Sequence, residues 1–176
     1  MPIIRFSADS DIAAIAAIYG HSVTTGTASW EYEPPNVDDM AKRRHAILAN
    51  GFPYFVATLD ERVVGYAYAS SYRARVGYRF VVEDSVYVAD DAQGRGIGKM
   101  LLNALISECE KSGFRQMIAV IGDSENAASI VLHERCGFQP AGRFKGIGYK
   151  FGRWLDSVQM VRRLGEGYDA PPDLER

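Results

Sequence analysis

Gln93-Gly94-Arg95-Gly96-Ile97-Gly98 stands between a strand-like run, Ser85-Val86-Tyr87-Val88, and a helix-like run from Lys99 to Lys111. A turn with this much glycine leaves backbone N–H groups uncovered at a helix start, where the helix dipole also favours an anion. The hexapeptide therefore reads as a phosphate cradle. Its spacing excludes two familiar phosphate loops. A dinucleotide fingerprint begun at Gly94 needs glycine at 99, which is Lys99, and one begun at Gly96 needs a small residue at 101, which is Leu101. A nucleoside-triphosphate loop needs Gly-Lys followed by Ser or Thr, and Gly98-Lys99 is followed by Met100.

The 176 residues around this loop suit one domain, with its body over 1–164 and a frayed tail over 165–176. A net charge of -2 and dispersed Lys and Arg give no polyanion-binding surface, so nucleic acid is not an expected partner. Cys109 and Cys136 stand at no metal-ligand spacing beside apolar helical neighbours, as buried thiols of a reducing cytosol would. No apolar run is long enough for a membrane span, and Met1-Pro2-Ile3-Ile4-Arg5 lacks the order of a signal peptide. The expectation is a cytoplasmic protein with no membrane partner and no metal.

Outward from the loop, period and punctuation set the remaining elements. Ile3 to Phe6 reads as a strand, followed by a helix capped at Ser7 or Asp9 with Ile12, Ile15, Ile18 and Tyr19 on one face. Residues 20–35 read as loop, Val37 to Ala49 as a charged helix stopped by Gly51, and Tyr54–Ala57 with Val63–Tyr68 as a hairpin across Asp60-Glu61-Arg62. A long strand is expected from about Arg79 to Val88. Leu101, Leu102, Leu105, Ile106 and Cys109 stripe the helix after the loop, and Gln116 to Ile121 is an apolar run suited to a buried parallel strand. Asp123 or Ser124 caps a further helix ending at Cys136-Gly137; strands then begin at Phe138 and at Ser157.

An ordered set of local marks accompanies this pattern: Thr27-Ala28-Ser29-Trp30 with Pro34-Pro35, Tyr72-Arg73-Ala74-Arg75, Val82-Glu83-Asp84-Ser85-Val86-Tyr87-Val88, Gln93-x-x-Gly96-x-Gly98, Asn126-Ala127-Ala128-Ser129, His133 with Gly137-Phe138, and Lys150 to Asp156. Over about residues 3–164 the chain resembles the GNAT superfamily of N-acetyltransferases, and within it the phosphinothricin and methionine sulfoximine acetyltransferase branch. The resemblance implies an α/β (α+β) fold: a mixed, twisted sheet of about seven strands flanked by helices. It also implies that two strands splay to admit acetyl-CoA, and that the enzyme is a homodimer.

Each position has a physical reason to fit that chemistry. A thioester on an amide-rich arm is held by adding it to an exposed strand edge, here Val86, Tyr87 and Val88, and one N–H there suits a developing oxyanion, a donor worth about 3–4 kcal/mol. Gln93, Gly94, Arg95, Gly96, Ile97, Gly98 and Lys99 take the pyrophosphate. Removing a proton from an ammonium needs a base, and period two puts Glu83, Ser85 and Tyr87 on one face. Glu83 is the natural base, acting through a water, with Asp84 the competitor if a bulge shifts the register. Asn126, Ser129 and His133 recur at helical spacing as a polar stripe: Asn126 and Ser129 for the donor's arm, His133 in the place where many GNAT enzymes have a tyrosine that protonates the leaving thiolate. For a small amino acid, Arg73 or Arg75 suits a two-pronged carboxylate bond and Trp30 suits a pocket wall. By resemblance alone, Lys150 and Arg153 lie near the active site, reached across a dimer interface.

The expected activity is direct acetyl transfer, in a ternary complex, to the α-amino group of phosphinothricin, methionine sulfoximine, methionine sulfone or a similar amino acid. The rivals are a GNAT enzyme acting on a peptide, protein or polyamine amine, and a non-catalytic acyl-CoA sensor. The arginine pair argues against the polyamine.

Overall fold

The computed structural model describes residues 1–174. Its chain runs β1 (Ile3–Phe6), α1 (Ile12–Thr25), α2 (Val37–Ala49), β2 (Tyr54–Leu59), β3 (Arg62–Ser71), β4 (Val81–Val88), α3 (Ile97–Lys111), β5 (Gln116–Gly122), α4 (Ala127–Arg135), β6 (Gln139–Lys150) and β7 (Arg153–Arg163). The strands make one seven-stranded sheet in the order β1-β2-β3-β4-β5-β7-β6. Every neighbouring pair is antiparallel except β4 with β5, which are parallel and joined by the crossover through α3.

Alternation along the strands divides the core into two layers. Phe55, Ala57, Ala67, Ala69 and Val82 face α3 and its buried Leu101, Leu102 and Leu105. Tyr54, Val56 and Tyr66 face the opposite way, against Ile15, Tyr19 and Val23 of α1 and Met40 of α2. On that second face Tyr54, Tyr66, Tyr68 and Tyr87 form a ladder of near-parallel rings with centroids 5.0 to 6.3 Å apart. Asn36 starts α2 by accepting the Asp39 N–H at 2.8 Å, and Asp38 and Asp39 in the first turn suit the positive end of the helix.

Several boundaries differ from the sequence reading: β7 begins at Arg153 rather than Ser157, and α4 is capped by Asn126 rather than Asp123 or Ser124. α1 runs on to Thr25, because buried Val23 continues the face of Ile15, Ala16 and Tyr19 for another turn. β4 begins at Val81, since Val76–Tyr78 form a single tight 3-10 turn before it. The segment after Leu164, expected to fray, is tied to the body through its described part. Arg115 donates to Glu166 at 2.9 Å and to the Pro171 carbonyl at 3.2 Å, and Arg163 pairs with Asp169. Residues 175 and 176 lie outside the described chain.

α2 carries a buried cation that its charged composition concealed. Arg44 donates to the Ser7 hydroxyl at 2.8 Å, the Ser7 carbonyl at 2.7 Å and Asp9 at 2.6 Å, pinning α2 to the turn between β1 and α1. Truncating it strands those acceptors, so Arg44→Ala is expected to lower unfolding free energy by about 2–4 kcal/mol in urea denaturation.

Candidate active site

β4 and β5 pair for three residues only, Val81 with Gln116, Val82 with Met117 and Glu83 with Ile118. Beyond Glu83 they part, while β4 stays paired with β3 through Val88 and β5 with β7 through Gly122. The ladder register then decides which backbone groups the opening exposes. The Ala89 N–H donates to the Val64 carbonyl, so every second residue back along β4, Tyr87 and Ser85, also points its amide and carbonyl at β3. Asp84, Val86 and Val88 therefore present theirs to the opening. This narrows the expected set: Val86 keeps its backbone groups and Val88 its N–H for the opening, whereas those of Tyr87 are committed to Tyr66. On the facing strand the Asp123 N–H bonds the Asp156 carbonyl, which by the same count turns Val120 and Gly122 toward the gap.

The opening widens into a cavity of about 1190 Å³. Val86, Tyr87 and Val88 wall it on one side, Gln93, Gly94, Gly96, Ile97, Gly98 and Lys99 close its mouth, and Asn126 and Ser129 stand opposite. Arg95 is exposed and outside the lining. The glycines act differently from one another. Gly96 precedes α3 with φ 77°, and a side chain at Gly94 or Gly96 would project into open space, which leaves the helix start bare for an anion. Gly98 instead admits α4: a Cβ there would lie 3.2 Å from Leu132 Cδ2. Gln93 braces the loop by donating to Asp90 at 3.0 Å and to the Val88 carbonyl at 3.4 Å.

α4 faces the cavity with Ala128, Val131, Leu132 and Arg135, so the polar stripe read from its spacing is divided. Asn126 caps the helix, its Oδ1 accepting the Ser129 N–H at 3.2 Å, which leaves the amide NH2 for the cavity. His133 turns inward instead and is absent from the lining. Its Nδ1 lies 2.7 Å from the Ser129 carbonyl and its Nε2 3.0 Å from Asp84 Oδ2. Burial works against charge on this ring, but the Asp84 carboxylate outweighs it and raises the His133 pKa. A ring with both nitrogens so engaged is not placed to protonate a thiolate in the cavity.

Glu83 sits where the pairing stops, on the same sheet face as Tyr87 and Tyr68. Burial, and then the neighbouring Asp84 charge, push its pKa up to about 7. A carboxylate at that value is half ionised near neutrality and takes a proton readily. Sequence reasoning missed a polar cluster on this face: Tyr19 donates to Glu31 at 2.9 Å, and Arg43 grips Glu31 at 2.7 and 3.2 Å. Those residues are far apart in the chain and carry no shared motif. Arg153, named in the sequence on resemblance alone, does line the cavity, bonded to buried Asp123 at 2.5 Å.

The expected acceptor residues are not all brought together. Arg73 and Arg75 are on an exposed bend rather than an extended run, the Arg73 guanidinium lying over Tyr72 at 5.1 Å and Tyr78 at 5.6 Å. Trp30 packs flat against Gly148, where a Cβ would come within 2.5 Å of its ring, and against Gly122. Lys150 is a correction. Its ammonium is buried and spends all three donors on the carbonyls of Val23, Gly26 and Ser29, at 2.8, 2.9 and 2.6 Å. It therefore anchors the loop after α1 and has no donor left for an acceptor molecule.

A sheet opened along its parallel pair, with a bare helix start at the mouth and a proton-accepting carboxylate at the apex, suits an enzyme that holds a long phosphate-ended thioester. The comparisons agree. The model of the acetyltransferase (GNAT) domain matches residues 4–159, and the chain belongs to that family of N-acetyltransferases. It is 51% identical over 170 residues, 97% of this chain and 86% of the other, to a phosphinothricin N-acetyltransferase of Alcaligenes faecalis. It is 40% identical to an L-methionine sulfoximine/L-methionine sulfone acetyltransferase of Salmonella typhimurium, covering 97% of this chain and 98% of that one. The crystal structure of a GNAT phosphinothricin acetyltransferase from Sinorhizobium meliloti in complex with AcCoA superposes with a TM-score of 0.96 at 46% identity, covering 98% of this chain and 94% of that one.

Replacing Lys150 by Met removes one cation and orphans three carbonyls. The expected result is a loss of about 2–4 kcal/mol in unfolding free energy with the acceptor KM unchanged at permissive temperature. A raised KM with intact stability would return Lys150 to the acceptor site.

Proposed function

We propose that this chain transfers the acetyl group of acetyl-CoA to the α-amino group of a small amino acid of the phosphinothricin, methionine sulfoximine or methionine sulfone type, directly and in a ternary complex. The observation that carries this reading is the parting of β4 from β5 immediately after Glu83. Acetyl-CoA supplies the activated acyl thioester. Its arm suits the backbone groups of Val86 and the Val88 N–H, with Asn126 and Ser129 opposite, and its pyrophosphate suits the bare turn from Gln93 to Lys99. The Val86 or Val88 N–H polarises the acyl oxygen, and Glu83 takes the ammonium proton through a water. Direct transfer is supported by the thiols: both cysteines are buried, and burial pushes Cys109 up to about 12, so neither is a ready nucleophile.

Arg73 or Arg75 holds the acceptor's carboxylate, Arg73 being already oriented by the two tyrosine rings beside it. A second copy of the chain covers the apolar surface of the β6–β7 hairpin, where Phe144, Ile147, Tyr149, Phe151 and Trp154 are about half exposed or more. Light scattering on the purified protein is expected to give the mass of a dimer; a monomer at all concentrations would refute it. Two free buried cysteines support a cytoplasmic setting.

Thiol release from acetyl-CoA, measured with phosphinothricin, methionine sulfoximine, methionine sulfone, a peptide and spermidine, tests the reading. Turnover is expected with the amino acids alone, and Arg73→Ala should raise their KM about tenfold. Turnover confined to the peptide or amine would overturn the acceptor assignment, and none with any acceptor would favour a sensor. Glu83→Gln is expected to leave acetyl-CoA binding intact and to lower kcat/KM by about 10²–10⁴-fold.

The sign of the pH dependence follows from the raised pKa of Glu83. Activity should rise with pH through a midpoint near 7, where Glu83 becomes a base. Stability should move the other way. The unfolded carboxyl loses its proton near 4.5 and the folded one near 7, so stability declines across that window. At pH 8 Glu83→Gln should therefore unfold at a higher temperature than the parent in a thermal scan.

A further inference from the structure

Beneath the Glu83 face of β4 lies an ionisable pair that the proposed chemistry does not use. Asp84 follows Glu83 in the strand but projects from the opposite face, and both it and His133 are almost wholly buried. Asp84 Oδ2 meets His133 Nε2 at 3.0 Å, and His133 Nδ1 lies 2.7 Å from the Ser129 carbonyl. A carbonyl only accepts, so Nδ1 carries a proton; Nε2 faces a carboxylate, so that contact holds a second one. Phe138 closes the other side of the ring, edge to face at 4.9 Å. Oδ1 of Asp84 is buried and has no hydrogen-bond partner among the described residues.

A buried, half-satisfied ion pair is a poor choice for stability, because apolar residues of the same volume usually do as well or better. Its place suggests another use. Asp84 occupies the first strand position after β4 leaves β5, one peptide unit from the proposed base. The other titratable groups that act on Asp84 or are acted on by it are Cys109 of α3 and Cys136 after α4, both neutral thiols whose pKa burial raises. Facing Glu83 from β3 is Tyr68, a phenol kept neutral by burial. Asp84 is thus the one group among these whose charge bears directly on Glu83, and His133 is the side chain bonded to it.

We propose that Asp84 is a positioning residue for the base: held in place by His133, it sets from the far face of β4 how tightly Glu83 holds a proton. The inference rests on the reading of Glu83 as the base, but its effect is measurable without turnover. The Glu83 carboxyl is followed by carbon NMR and the His133 ring by nitrogen NMR across pH, in the protein without acetyl-CoA. In the parent, His133 is expected to be doubly protonated at neutral pH. In Asp84→Asn it should lose that proton at lower pH, and the Glu83 midpoint should fall by on the order of one pH unit. The acid limb of kcat/KM should move with it. Asp84→Glu, which keeps the charge, should restore the parent midpoint. An Asp84→Asn protein that folds, with the Glu83 midpoint unmoved, overturns the proposal, as does a neutral His133 in the parent. Loss of kcat at every pH with no shift of the limb would make Asp84 structural only. Inactivity of the parent toward every acceptor would refute the enzyme reading and leave the NMR result standing.

Discussion

The parallel pairing of β4 with β5 lasts three residues and then stops, and the rest of the molecule is arranged around that break. A sheet tolerates such a gap because each strand keeps a full ladder on its outer side, β4 with β3 and β5 with β7. The inner edges then carry backbone donors and acceptors that a closed sheet would have satisfied internally. An open edge of this kind is a hazard on the outside of a protein, where it recruits other strands. In the middle of a sheet, between α3 and α4, it is shielded from other chains and left for a ligand that is itself a chain of amides.

The charges buried in this fold sort by how completely they are answered. Lys150 spends all three donors on oxygen acceptors and Arg44 makes three such bonds; both act as clamps, one on the loop after α1 and one on the turn before it. Among the described residues, Asp84 is answered on one oxygen only, and Glu83 is desolvated with no cation paired to it. Both of these carboxylates stand at the point where the strands part. That distribution is what a site needing a reactive carboxylate requires, since a salt-bridged glutamate would be too weak a base.

Much of this was legible from local pattern. The glycine turn between a strand and a helix, the period-two placement of Glu83 and the limits of α2 depend on neighbours in sequence, and the structure has them as read. What escaped depends on partners far along the chain. The direction of His133 turns on Asp84, 49 residues away, and helical spacing alone places Ser129 and His133 together without saying which way they look. Lys150 resembles a solvent-exposed or substrate-binding lysine until the carbonyls of residues more than 120 positions earlier fold over it. Likewise, that Val86 rather than Tyr87 offers its amide follows from the β3 register, which no property of β4 reveals.

Glycine in this chain is kept for two unrelated reasons. Gly96 and Gly94 supply a backbone turn that other residues adopt with strain, whereas Gly122 and Gly148 have ordinary dihedral angles and are glycine because Trp30 and the Thr27 carbonyl fill the space a methyl would need. A common route to a more heat-resistant protein replaces glycines of ordinary geometry by alanine to reduce the freedom of the unfolded chain. Here that route would take in these two positions and do harm, lifting the Trp30 loop off the sheet at the same place where Lys150 holds it down. The conformational freedom of the unfolded chain and the packing of the folded one thus make opposite demands at these two sites, and packing decides.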